Sequence, residues 1–188
     1  MKKLIFGIAI AFTASFSFAG NLTQEQKNTL NSDVDTHAEL TTFIINKDIP
    51  AIADYYNALS YPSYIVWRTS VLKDEFTQAA GFDFSRVDNL TVGKARIWDY
   101  LFDNNLKSIN CSKTNVQAGI DAAWVGTAAD LAVRTVVKDT CKRDGKRIEK
   151  LFSTGTGTTA SPAVMSFEGN ISHADVISAL YNADGSRR

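Results

Sequence analysis

The chain has 188 residues, 45% of them hydrophobic and 21% charged, which is enough apolar material for one domain with a core and too much for a disordered chain. Lys and Arg together number 20, as do Asp and Glu, and this balance excludes a general attraction to nucleic acid or to an anionic membrane.

The chain opens on Lys2 and Lys3, an apolar run over residues 4–12, and then Ser17 and Ala19 at the −3 and −1 positions of a cut before Gly20. That is the order of a secretory signal peptide. The run is too short for a comfortable membrane span; an upstream artefact of the gene start or a lipid-facing helix is the alternative. The expected organisation is a signal-like segment at 1–19, one helical globular domain at 20–182 and a flexible tail at 183–188. No stable membrane span is expected after signal removal.

Thr23-x-x-Gln26 reads as a capping box opening the first helix. Leu40, Phe43 and Ile44 form the next helical stripe. Pro50 suits the first turn of a third helix, with Ile52, Tyr56 and Leu59 on one face, and Pro62 ends that segment. Residues 64–71 are apolar and β-branched, so either a short strand or a buried helical turn fits. Thr91 is a candidate N-cap for a helix with Val92, Ala95, Trp98, Leu101 and Phe102 on one face. Ser112 is placed to cap the next, whose inward residues are Val116, Ile120, Ala123 and Trp124.

After a break at Gly126-Thr127, Ala129, Val133, Val136, Val137 and Cys141 form a stripe. Asp144-Gly145 is a second break, followed by Ile148, Leu151 and Phe152. Residues 153–161 are rich in Gly and Thr and read as a loop, and 163–167 as extended. Ser172 and Asp175 cap a last helix that buries Ile177, Leu180 and Tyr181. The fold class expected is mainly α: an irregular bundle of six to eight short helices with little or no β-structure.

Several short motifs carry chemistry only in part. Ser70-x-x-Lys73 matches S-x-x-K, but the S-D-N and K-T-G elements that complete that proton relay are missing. Asn31-x-Asp33-x-Asp35 spaces oxygens like the start of a calcium loop, yet Thr36 stands where Gly is needed and Thr42 where a bidentate Glu is needed. Gly155 and Gly157 lack the Gly-Lys-Ser/Thr of a phosphate cradle, which leaves a connector or a loop that orders on a partner. Lys138, Lys142, Arg143, Lys146, Arg147 and Lys150 form the densest basic stretch. With Asp139, Asp144 and Glu149 among them and no interleaved aromatics, a solvated helix face fits better than a docking surface.

His37 and His173 complete no catalytic set. Asp99 and Asp103 share a helix face at i, i+4, a spacing that fits surface acids better than a paired-carboxylate site. Trp67, Trp98 and Trp124 are assigned to the core. Cys111 and Cys141 can pair in an oxidising compartment or lie buried as free thiols in the cytoplasm, and with no nearby His they make no zinc site. No enzyme activity, cofactor or metal is therefore expected.

The strings VWRTSV (66–71), DNLTVGKARIW (88–98), AGIDAAW (118–124) and FSTGTG (152–157) together resemble a group of tailed-phage and prophage proteins of similar size, over roughly residues 50–182. Members of that group are encoded among virion structural and assembly genes, have no assigned activity and usually begin near the equivalent of Leu22, without an export signal. The resemblance implies a non-enzymatic protein of the virion, in the head–tail or tail region, whose partners are other phage structural proteins or further copies of itself, with no specific nucleic acid. It carries over no site residues. Lys138, Lys142, Arg143, Lys146 and Arg147, with Gly155 and Gly157, are the surfaces offered to such a partner. The location expected is the virion or host cell on this reading. It is periplasmic or secreted if 1–19 act as a signal, which would make the chain an exported binding or interaction protein.

Overall fold

The computed structural model describes residues 22–102 and 108–188. The signal-like segment and Asp103 lie outside the described residues.

Thr23, Asp48, Thr127 and Ser172 are side-chain N-caps that open helices. The Thr23 hydroxyl accepts the Gln26 N–H while the Gln26 side chain accepts the Thr23 N–H, opening α1 (Gln24–Val34). A 3-10 turn at Ala38–Leu40 leads into α2 (Thr41–Ile45). Asp48 caps α3 (Ile49–Asn57), and Pro50 occupies its first turn, where no N–H is missed. There follow β1 (Ile65–Trp67), β2 (Val71–Leu72), α4 (Lys73–Thr77), α5 (Ser85–Asp88), α6 (Val92–Phe102), β3 (Ser108–Ile109), α7 (Thr114–Ala123) and α8 (Ala128–Thr140). The chain closes with β4 (Lys142–Asp144), α9 (Arg147–Leu151), β5 (Ser153–Thr154), β6 (Val164–Met165) and α10 (His173–Leu180). Thr127 with Asp130, and Ser172 with Asp175, complete capping boxes at α8 and α10. Ser112 caps nothing: its N–H and hydroxyl both turn back to Asn110 Oδ1.

The fold is mainly α. Ten helices are present among the described residues, more than the six to eight expected. Four of them, α2, α4, α5 and α9, have only four or five residues, too few to display a helical period. The expectation of little or no β-structure needs a similar correction, because six short strands form three antiparallel pairs. In one of them Val66 of β1 lies opposite Arg143 of β4. On the other side of β1, the Ile65 N–H donates to Gly157 O at 2.7 Å and the Trp67 N–H to Ala163 O at 3.0 Å. Backbone groups of β1 are thus satisfied from both flanks, as a buried strand requires.

Residues 153–161 are consequently not a free loop. Gly157 is buried, its carbonyl pinned to β1 and its α-carbon against the Tyr64 ring. The C-terminal residues 183–188, expected to be flexible, are also held. Arg187 pairs with Tyr181, donates to Asp35 at 2.8 Å and bonds Asn31, while the Arg188 N–H donates to Leu180 O at 3.0 Å.

The core has two parts. One gathers Leu30, Val34, Leu40, Ile52, Tyr56, Ile148 and Leu180 from α1, α3, α9, α10 and the 3-10 turn. The other gathers Val71, Phe76, Trp98, Ile120, Trp124, Val133 and Val137 around the Cys111–Cys141 disulfide. Trp98 and Trp124 meet edge to face with centroids 5.2 Å apart, a contact of about 1 kcal/mol beyond its buried area. Trp67 is only half-buried, under the Lys142 ammonium.

Some expected core positions face solvent: Leu59 because α3 has already ended, Val92 and Ala129 because they sit in the first turns of α6 and α8. On α10 the buried face runs through Val176, Ala179 and Leu180, leaving Ile177 exposed. No helix among the described residues is long and apolar enough to cross a membrane.

Candidate functional site

Between the last turn of α1, α3 and α9 lies a cavity of about 390 Å³ lined by Asp33, His37, Tyr55, Tyr56, Ser60, Tyr61, Arg147, Lys150 and Leu151. Its polar groups come from three local structures. Asp33 is one residue from the end of α1, and the chain then turns so that His37 Nε2 comes back to Asp33 Oδ2 at 3.2 Å. Tyr55 and Tyr56 are neighbours on α3 and therefore about 100° apart around it. Tyr56 enters the core and donates its hydroxyl to Asp33 Oδ2 at 2.7 Å. Tyr55 stays at the rim, its hydroxyl 3.0 Å from His37 Nδ1 and donating to Glu39 Oε1 at 2.8 Å.

Both tyrosine hydroxyls are held protonated. Burial, followed by the bond to Glu39, pushes Tyr55 up to about 12. Burial and the Asp33 carboxylate push Tyr56 further in the same direction. Glu39 is shifted the other way, by its own backbone N–H and then by the Tyr55 hydroxyl. The tyrosines thus act as donors in this site rather than as nucleophiles. When His37 carries both protons it donates to Asp33 and to Tyr55 at once, which leaves the Tyr55 proton for Glu39.

Arg147 forms the opposite wall. Its guanidinium stacks on the Tyr55 ring at 4.1 Å from the centroid, and Nη1 donates to Tyr55 O at 3.0 Å. Lys150, one turn along α9, extends over the Tyr64 ring at 5.5 Å. Tyr61 projects beside them with 89% of its surface exposed.

The basic stretch expected as a single helix face is divided by a strand, because β4 interrupts α8 and α9. Half of its charge is paired internally. Lys138 reaches Asp121 at 2.6 Å and Lys142 reaches Asp139 at 3.0 Å. Arg143 forms a two-pronged pair with Glu149 at 2.7 Å and a bond to Glu168 at 2.9 Å. Glu149 is fully buried; burial raises its affinity for a proton, but the Arg143 fork and the N–H groups of Lys146 and Gly169 win and hold it below the usual range. Lys146 bonds the Asn170 amide oxygen at 2.5 Å.

The remaining sequence candidates are scattered. Asn31 and Asp35 are tied to Arg187, whereas Asp33 turns to Tyr56 and His37, so the three oxygens do not converge as a calcium loop. Ser70 is exposed and Lys73 lies over the Phe102 ring. His173 is exposed in the first turn of α10. Cys111 and Cys141 are disulfide-bonded, with Cα atoms 5.7 Å apart. Among the described residues no group of three or more His, Cys, Asp or Glu is placed to hold a metal.

Sequence reasoning missed the His37 cavity because its lining residues run from Asp33 to Leu151, on elements far apart in the chain. The available signals were the Asp33/His37 spacing of one helical turn and the Tyr55-Tyr56 pair, of which one helix face buries only one member.

A second concavity, of about 540 Å³, lies along α5 and α6. Val87, Leu90, Val92, Ala95 and Tyr100 line it, with Asp88, Arg96 and Asp99 also on its wall. Val92 is 77% and Tyr100 63% exposed. No protein-family model, curated protein or solved structure matches the chain.

Proposed function

We propose that this chain is a non-enzymatic structural or assembly protein of a tailed phage or prophage, working through contacts with other structural proteins. The observation that carries the reading is the groove along α5 and α6, with its exposed Val92 and Tyr100. Five of its eight lining residues, Asp88, Leu90, Val92, Ala95 and Arg96, belong to the 88–98 string that bears the phage resemblance, and the groove leaves Val92 and, just beyond the string, Tyr100 uncovered. An aliphatic and aromatic centre with charged residues beside it is the make-up of a protein–protein contact. The other strings bearing the resemblance supply scaffold: Val66 and Val71 in strands, Trp124 in the second core, Gly157 against Tyr64.

Mass spectrometry of purified particles tests the reading, together with a gene knockout. The protein is expected in the particle, and Val92→Asp with Tyr100→Asp is expected to exclude it from the particle while its circular dichroism stays unchanged. Normal infectious particles from the knockout, with no protein in parental virions, would overturn the proposal.

The Cys111–Cys141 bond favours a second reading, an exported interaction protein, because disulfides persist in oxidising compartments. Fractionation that finds the chain in the periplasm, cut near Gly20, separates this reading from the first.

A further inference from the structure

We propose that the cavity between α1, α3 and α9 is a binding site for a small organic anion, held by its carboxylate or phosphate group. Arg147 and Lys150 carry the argument. Among the described residues several cations have no carboxylate partner within 4 Å, Lys27, Lys73, Lys94 and Lys113 among them, but Arg147 and Lys150 are two such cations on one short helix. Both line the same cavity. Stacking on Tyr55 and the bond to Tyr55 O fix the guanidinium in place while using one nitrogen, so the rest of its donor fork is preorganised. A planar fork with an ammonium one helical turn away matches the oxygens of a carboxylate or phosphate.

The rest of the lining indicates what the anion is attached to. Tyr61 offers an aromatic face that nothing covers among the described residues, and Ser60 a hydroxyl. Asp33 also faces the cavity; its Oδ2 accepts from Tyr56 and lies 3.2 Å from His37 Nε2, so that oxygen is already engaged. The volume is in the range of small-molecule sites and exceeds what a bare inorganic ion would fill. An acid group on a ring-sized body therefore fits better than a free ion.

Titrating the full chain with phenyl phosphate, benzoate and inorganic phosphate, followed by the backbone NMR signals of Tyr61, Lys150 and His37, tests this. Saturable shifts are expected with at least one of the two aromatic anions, and which one responds identifies the acid group. Lys150→Gln is expected to weaken that binding by roughly five- to tenfold, the share of one charge-assisted contact. Tyr61→Ala is expected to weaken the aromatic probes and leave inorganic phosphate unaffected. Both side chains are at the surface, so both variants should retain the parent spectrum. The absence of saturable shifts with either aromatic probe would overturn the proposal. So would binding that persists undiminished when Lys150→Gln and Tyr61→Ala are combined, or inorganic phosphate binding as tightly as phenyl phosphate.

Discussion

Gly157 shows how one missing side chain can organise a segment. Its φ is +65°, a region that residues with a Cβ occupy at a cost, and a Cβ there would lie inside the Tyr64 ring. The close approach lets Gly157 O receive the Ile65 N–H. Gly157→Ala is expected to lower unfolding free energy by about 2–3 kcal/mol, from strain and overpacking combined, as read from the urea midpoint. A loss within experimental error would mean that the Tyr64 ring moves aside freely. In the sequence this glycine looked like part of a flexible loop open to a partner, since composition reports conformational freedom and not what a segment packs against.

At the scale of one element, the start of α8 joins a local signal to a distant one. Thr127 and Asp130 form the capping box, and Arg86 of α5 donates to Asp130 Oδ1 at 2.7 Å. The Arg86 side chain, followed by the Thr127 N–H, holds the Asp130 carboxyl down from 3.8 to about 2. An unfolded chain takes up this proton near 3.8, whereas the folded chain keeps the anion until about 2. The stability contributed by the group is therefore full above the unfolded value and is lost as pH falls through the folded one. Asp130→Asn is expected to lower the denaturation midpoint at neutral pH and to flatten its decline between about pH 4 and pH 2. An unchanged decline in the variant would assign the acid sensitivity to other carboxylates.

The capping box here was within reach of the sequence because its members are three residues apart, although Gly126-Thr127 reads first as a break. Arg86 was not, because 44 positions separate it from Asp130. Similarly, β4 showed no strand pattern: Lys142-Arg143-Asp144 has no apolar alternation, and its pairing depends on β1 and on the buried Glu149 that receives Arg143.

Across the whole molecule, the disulfide joins the end of α8 to the turn before α7, 30 residues apart. The backbone of Arg68 is bonded between the same two segments, its N–H donating to Cys141 O and its carbonyl accepting from Cys111 N–H. The bond therefore clamps the connection between β1 and β2 inside the second core. Replacing both cysteines with alanine is expected to cost about 3–4 kcal/mol, the loop-closure value for a separation of this size. Reductant should produce a similar loss in the parent and none in the variant; equal stability of oxidised and reduced parent protein would show that packing alone holds the clamp.

The sequence by itself determined the mainly helical class, the capping boxes at Thr23 and Ser172, and most of the buried faces of α7 and α8, because each depends on residues within a turn or two of one another. The tertiary structure alone decided which strands pair, how the core divides and where the charges go. Cys111 and Cys141 showed in the sequence that a bond was available, and only folding brought their Cα atoms to 5.7 Å. The His37 cavity belongs to the second class for the same reason. Asp33, Tyr55 and Arg147 acquire a common chemistry only when three helices far apart in the chain pack together, and no local period records that meeting.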